Sequence, residues 1–179
     1  SDPDIARYTE KYIAAQKTKK IVKFVPASGA ATRMFRDLFE FLNTGTQNDT
    51  TRRVLDNLDK FAFWDDLRQF LPPTPTDRDK IACILTDAGL NYGNLPKGLI
   101  AFHKYDTYSR TALEEHLAEG AQYATANGTV HIHFTVSPEH LAGFRALLAR
   151  TVPEYSARYG VNYDITMSNQ RASTDTIAV

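Results

Sequence analysis

Apolar positions along the chain change period several times, and each change predicts an element. Ile5, Tyr8, Tyr12 and Ile13 follow Asp2-Pro3 at helical spacing, with Asp2 placed to cap and Pro3 at the first helical position. A basic run from Lys17 to Lys20 separates this helix from IVKFV (21–25), a compact strand of β-branched and aromatic residues. Met34, Phe35, Leu38, Phe39 and Leu42 then recur every three or four residues, one face of a second helix that Asn43-Thr44-Gly45 ends.

From about 46 to 92 the pattern becomes wholly helical. TTRRVLDNLDKFAFWDDLRQFL predicts one amphipathic helix with a stripe of Val54, Leu55, Leu58, Phe61 and Leu67, and Trp64 is expected in the core rather than as a ligand platform. PPTPT breaks it, and DRDKIACILTDAGL starts another helix with Asp77 or Asp79 near its cap. NLPKGLIAFHKY (94–105) returns to strand or loop texture, and RTALEEHLAEGAQYA predicts a helix closed by Asn127-Gly128. TVHIHFTV (129–136) alternates as a strand, a helix follows from Ser137-Pro138, and VNYDITMS (161–168) is a further strand. This order predicts an α/β fold of crossover units: a three-layer, mostly parallel sheet in a single domain over 1–179, with a helical insertion at 46–92. The closing STDTIAV has the texture of a strand just beginning, so the chain is expected to be a piece of a longer protein.

Composition narrows the partners. Of 179 residues, 42% are apolar and 23% charged, which allows a sizeable core. Lysine plus arginine balances aspartate plus glutamate at 21 each, so no net positive field favours a nucleic acid. No apolar stretch approaches the roughly 20 residues that span a bilayer. SDPDIARYTEKY lacks the basic start and apolar run of a signal peptide. The single cysteine, Cys83, excludes an internal disulfide, sits in the apolar run IACIL as a core residue, and fits the expected cytoplasmic location.

The most informative chemistry lies between the first strand and its helix, in FVPASGAATRMF. Five small residues, Ala27-Ser28-Gly29-Ala30-Ala31, remove the side chains that would hold backbone away from a phosphate or a base. Free amides at a helix N-terminus favour an anion, and Arg33 adds a permanent forked cation. In an α/β unit such a turn faces the ligand crevice. The loop lacks the Gly-Lys-Ser/Thr of a Walker motif and the three glycines of the dinucleotide fingerprint. A tight turn with Arg33 in an ordinary ion pair is the plain structural alternative.

PASGAATRM resembles the N-terminal signature of sugar-nucleotide pyrophosphorylases, a Gly-rich loop of the form G-G-x-G-T-R-L/M after the first strand. Gly29, Thr32 and Arg33 match it, while Ser28 and Ala31 stand where glycines are usual. LPKGL (95–99) resembles the Pro-Lys-Gly motif of the eukaryotic-type UDP-sugar branch, IHFTVSPEHLAGF its strand ending in Thr and Ser, and ITMSNQ its strand followed by a base-reading glutamine. The wording of VPASGAATRMF, LPKGLI and HFTVS also looks like an uncharacterised bacterial domain family placed near the nucleotidyltransferases. The resemblance implies a nucleotidyltransferase-like (Rossmann-like) fold whose partners are a nucleoside triphosphate and a phosphorylated sugar. By position, Ala27, Ser28, Gly29, Ala30, Ala31 and Thr32 would meet the nucleotide, and Arg33 would neutralise the triphosphate. Lys97 would bind the phosphate undergoing substitution, and Gln170 would read a pyrimidine edge. The implied reaction joins the nucleotide to a sugar 1-phosphate with release of pyrophosphate. It implies Mg²⁺, for which Asp106, Asp164 and Asp175 are equal candidates. A module that binds nucleotide or phosphate without turnover is the alternative on the same fold.

His131-Ile132-His133 points elsewhere. Residues two apart on a strand share a face, so the two imidazoles are placed for one metal in a hydrolase, with His103, His116 or His140 as further ligands. The plain alternative is a polar sheet face. Glu114-Glu115-His116 with Glu119 reads as a solvated helix face, and Lys104 and Arg110 as surface charge. Ser137 lacks the Gly-x-Ser-x-Gly of a nucleophile elbow.

Overall fold

The computed structural model describes residues 2–171. In chain order its elements are helix α1 (Asp2–Gln16), strand β1 (Val22–Pro26), helices α2 (Arg36–Thr44), α3 (Asp49–Asp56), α4 (Trp64–Leu67) and α5 (Asp77–Leu85), and strands β2 (Ala101–Lys104) and β3 (Ser109–Thr111). Helix α6 (Ala112–Tyr123), strands β4 (Thr125–Ala126) and β5 (Thr129–Val136), helix α7 (Leu141–Tyr159) and strand β6 (Asn162–Asn169) complete it. The chain forms two compact units, one of residues up to Ala27 and from Glu114 onward, the other of Ser28–Leu113.

The first unit is an α/β sheet. β5 is its centre, paired in parallel with β1 from Val22–His131 to Pro26–Thr135 and with β6 from Thr129–Asn162 to Val136–Asn169. The alternation of TVHIHFTV decides which face is covered: Val130, Ile132, Phe134 and Val136 are buried, and the histidines and threonines between them are half-buried. α6 and α7 both pack on the apolar face, since His116 and Phe144 each bring a ring to within 6.4 Å of Phe134. Gly120 allows the close approach, because a Cβ there would stand 2.8 Å from Val130 Cγ1. On the opposite face Val22 and Phe24 remain exposed beside His131 and His133. Among the described residues no helix packs on that face of this unit, where the His, Thr, Asp and Ser side chains of β5 and β6 leave only Val22 and Phe24 as large apolar positions, so two layers are seen where three were expected.

Asn127-Gly128 does not close α6. Both residues have positive φ, 49° and 73°, and they form the hairpin turn that pairs β4 antiparallel with the start of β5. α6 ends earlier, at Tyr123.

The second unit contains all of the segment 46–92 and has a core that includes Phe35, Leu38, Leu58, Phe63, Leu67, Ile81, Ile84 and Ile100. The helix expected from Thr50 to Leu71 is broken into α3, a 3-10 turn at Leu58–Lys60 and the short α4. Phe61 and Phe63 explain the break: the rings stack at 5.1 Å, and Phe63 also meets Tyr92 edge-on at 5.4 Å. Residues two apart point to different sides of a helix, so both reach the core only if the helix stops. The Asn57 side chain assists by donating to the Arg53 carbonyl at 2.9 Å. Thr76 and Asp79 form a reciprocal capping box at the start of α5. Cys83 is buried, as expected. Burial pushes the Tyr92 hydroxyl up to about 12.

The segment 94–105 does not join the parallel sheet. β2 pairs antiparallel with β3 as a separate two-stranded hairpin, Ala101 opposite Thr111 and Lys104 opposite Ser109. Only Ala101 of β2 is buried, so this strand lacks the apolar positions a sheet interior requires. The strand expected at the end of the sequence lies outside the described residues. Among those residues, no helix is long and apolar enough to cross a membrane.

Candidate functional site

The small-residue loop leaves the end of β1 and turns back before its helix. Ala27 extends the strand by donating its N–H to the Thr135 carbonyl at 2.8 Å. Ala31 then reverses the chain: its carbonyl accepts from Met34 N at 2.9 Å and Phe35 N at 3.3 Å, and its methyl is buried in the helical core. Ala31 thus packs inward, and the side of the loop open to a ligand is made of half-buried Ser28 and exposed Gly29, Ala30 and Thr32. α2 proper starts at Arg36 with no side-chain cap bond at Phe35. A one-turn interval therefore separates the loop from the helix, where the sequence predicts a direct passage.

Gly29 does not use the backbone angles reserved for glycine. Its φ is outside the left-handed range, and a Cβ built there would meet nothing within 4 Å. The small residue is not required by any neighbouring protein atom among the described residues. It leaves open space above the backbone.

The loop is joined to the Pro-Lys-Gly motif by main-chain bonds. Ala30 and Pro96 form an antiparallel bridge, and Lys97 N donates to the Gly29 carbonyl at 3.0 Å. A 3-10 turn over Lys97–Leu99 follows Pro96. Two motifs separated by the entire helical block thus meet edge to edge. Arg33 and Lys97 are both exposed, and neither has an ion pair among the described residues. An ordinary ion pair for Arg33, the plain structural alternative, is not formed among them.

The remaining candidates have other surroundings. Gln170 belongs to the other unit, half-buried just past β6, with its N–H donated to the Val136 carbonyl at 2.9 Å. Lys104 donates to the Asp59 carbonyl at 3.0 Å. Arg110 is buried, not a surface charge: its guanidinium lies 4.8 Å and 5.2 Å from the rings of Tyr105 and Tyr108, whose hydroxyls accept from it.

On the open face of the sheet, the two histidines turn to β6. His131 Nδ1 is 2.7 Å from Asp164 Oδ2, which also accepts from Lys20 at 3.2 Å. Those two partners hold the Asp164 carboxyl below the usual range, His131 foremost. His133 places one ring nitrogen 2.8 Å from Thr166 Oγ1 and the other 2.9 Å from Ser168 Oγ, and stacks on Phe24 at 5.5 Å. The rings are held by cross-strand neighbours. Among the described residues no group of three or more His, Cys, Asp or Glu side chains could hold a metal. Asp164 is engaged as described, Asp106 is exposed near the turn between β2 and β3, and Asp175 lies outside the described residues. Among the described residues, the carboxylates named for Mg²⁺ are not gathered into one cluster.

The acidic face of α6 is not simply solvated. Lys23 reaches from β1 under the helix to pair with Glu119, and Glu119 also contacts His116 Nδ1 at 3.2 Å. The Lys23 ammonium holds the Glu119 carboxyl down. Burial foremost, and Lys23 after it, lowers His116 below its ordinary value of 6.5. The sequence gives no sign of this triad, because Lys23 sits in an apolar strand far from α6.

The chain matches, over residues 1–179, the family described as "Domain of unknown function (DUF4301)", and it belongs to that family. No curated protein and no solved structure matches it.

Proposed function

We propose that this DUF4301 domain binds the phosphates of a nucleoside triphosphate at the loop Ser28–Arg33 with Lys97, and transfers the nucleotidyl group to a sugar 1-phosphate. One observation carries the reading: the Lys97 N–H to Gly29 carbonyl bond sets an open, small-residue backbone beside two exposed cations that have no ion pair among the described residues. Exposed cations without partners beside bare backbone suit an anion that brings its own negative charge.

In the proposed reaction an oxygen of the sugar 1-phosphate attacks the α-phosphorus. A new P–O bond forms, the bridging bond to the β-phosphate breaks, and pyrophosphate leaves with the electron pair. Arg33 and Lys97 would neutralise charge on the phosphate oxygens as that bond lengthens, so their contribution is positioning and electrostatics with no covalent intermediate. The roles of Gln170 toward a pyrimidine and of Mg²⁺ rest on the sequence resemblance alone.

The test is release of pyrophosphate when the protein is given mixed nucleoside triphosphates and sugar 1-phosphates with Mg²⁺. Release that depends on both substrates and falls in Arg33→Ala supports transfer. Nucleotide binding without release identifies a binding module on the same loop. Absence of both overturns the proposal.

A further inference from the structure

The segment that carries Arg33 also borders an apolar pocket that the sequence reading did not anticipate. Its volume is about 160 Å³, and its walls are Leu38, Val54, Phe63 and Ile84 with neighbouring apolar side chains. Thr50 is the single polar residue in its lining, and the Thr50 hydroxyl is already bonded to the Asp37 carboxyl. Met34 and Phe102 also line it and stay 42% and 41% exposed, so the pocket reaches the surface at these two side chains. A pocket this apolar offers water too few hydrogen bonds, and a dry cavity of about 150 Å³ accepts a benzene ring. Met34, with its flexible thioether, suits an adaptable mouth.

Charge selects the occupant. Arg33 precedes Met34 directly, is exposed, and has no ion pair among the described residues; Arg36 follows Phe35, another lining residue, and pairs with half-buried Asp37 at 3.4 Å. We infer that this pocket takes the apolar part of a small anionic amphiphile, an aryl or short branched alkyl group carrying a phosphate, with the phosphate on Arg33. The inference rests on Arg33 of the anion site proposed above and goes beyond the nucleotide reading, since it gives that cation a second class of ligand. An apolar group of six or seven heavy atoms fills the volume; a polar sugar does not suit these walls.

Phenyl phosphate, inorganic phosphate and indole are the probes, measured by isothermal titration against the whole chain. Phenyl phosphate is expected to bind at least about tenfold tighter than inorganic phosphate. Filling the pocket at either of two lining residues, with Ala62→Leu or Val54→Phe, should remove that advantage and indole binding, and leave inorganic phosphate binding unchanged; circular dichroism checks that each variant folds. Equal affinity for phenyl and inorganic phosphate, or an advantage that survives both filled variants, overturns the inference. Loss of inorganic phosphate binding in Arg33→Ala reports on the anion site alone. If indole binds but inorganic phosphate does not, the anion site fails and the amphiphile inference fails with it.

Discussion

The N–H of Lys97 donates to the carbonyl of Gly29 at 3.0 Å, and the adjacent residues Ala30 and Pro96 bridge in the antiparallel sense. Two short motifs that the sequence separates by a whole helical block are thereby neighbours. One brings exposed small residues and Arg33, the other exposed Lys97, and the predictions concerning phosphate start from that meeting.

Gly29→Ala separates ligand approach from folding. A Cβ at this position meets only open space, and the backbone angle is an ordinary one, so stability should change by no more than about 0.5 kcal/mol. A phosphate lying on that backbone would be displaced, and its affinity should fall. Thermal melting and titration on the same sample check both halves. Full affinity in Gly29→Ala would remove the loop from the site.

Lys97→Ala tests the second motif. The side chain is exposed, so the melting temperature should stay near that of the wild type, whereas triphosphate affinity should drop by about tenfold or more if a charge-assisted bond is lost. The main-chain bond to Gly29 survives the substitution, which leaves the loop in place. A Lys97→Arg variant should restore part of the affinity.

Gly120→Val addresses the first unit alone. The added side chain would press on Val130 and Ile132 and move α6 away from β5. Overpacking of this kind costs about 1–3 kcal/mol, read from the urea midpoint. An unchanged midpoint would mean that α6 does not lie on β5 as closely as described.

The Lys23, Glu119 and His116 cluster predicts a pH dependence. Both His116 and Glu119 have folded values below their ordinary ones, so the unfolded chain binds protons more readily in each case. The neutral imidazole and the ionised carboxylate therefore contribute stability that is complete above 6.5 and is lost as pH falls, first through His116 and then through Glu119. Unfolding in urea should give a lower midpoint at about pH 5 than at about pH 7.5. In Lys23→Met, proton NMR should show His116 titrating nearer its ordinary value, still held down by burial. An unmoved His116 would exclude the ammonium as a cause.

How far the sequence foretold these features depends on whether the controlling contact is local. The alternation of TVHIHFTV was sufficient to define β5 and both of its faces, because a strand repeats every two residues. Helix α1 and the region of α2 were equally legible from spacing and from Asp2-Pro3. Phe61 and Phe63 were not, since a helical stripe counts only one of them, and the packing of Phe63 on Tyr92 with Phe61 stacked behind it is tertiary. The same holds at the site. Gly29, Arg33 and Lys97 were each conspicuous by type, but the bond that unites two of them crosses the helical block. The burial of Ala31, which a loop of small residues conceals, and the pocket beside Met34 also needed the folded core.

The most direct measurement is a titration of the wild-type chain, Arg33→Ala and Lys97→Ala with UTP, CTP, ATP, GTP and dTTP in the presence of Mg²⁺. The account predicts saturable binding of at least one triphosphate to the wild type and a fall of about tenfold or more in each variant. Absence of binding by all five, or variants that bind as the wild type does, would contradict it.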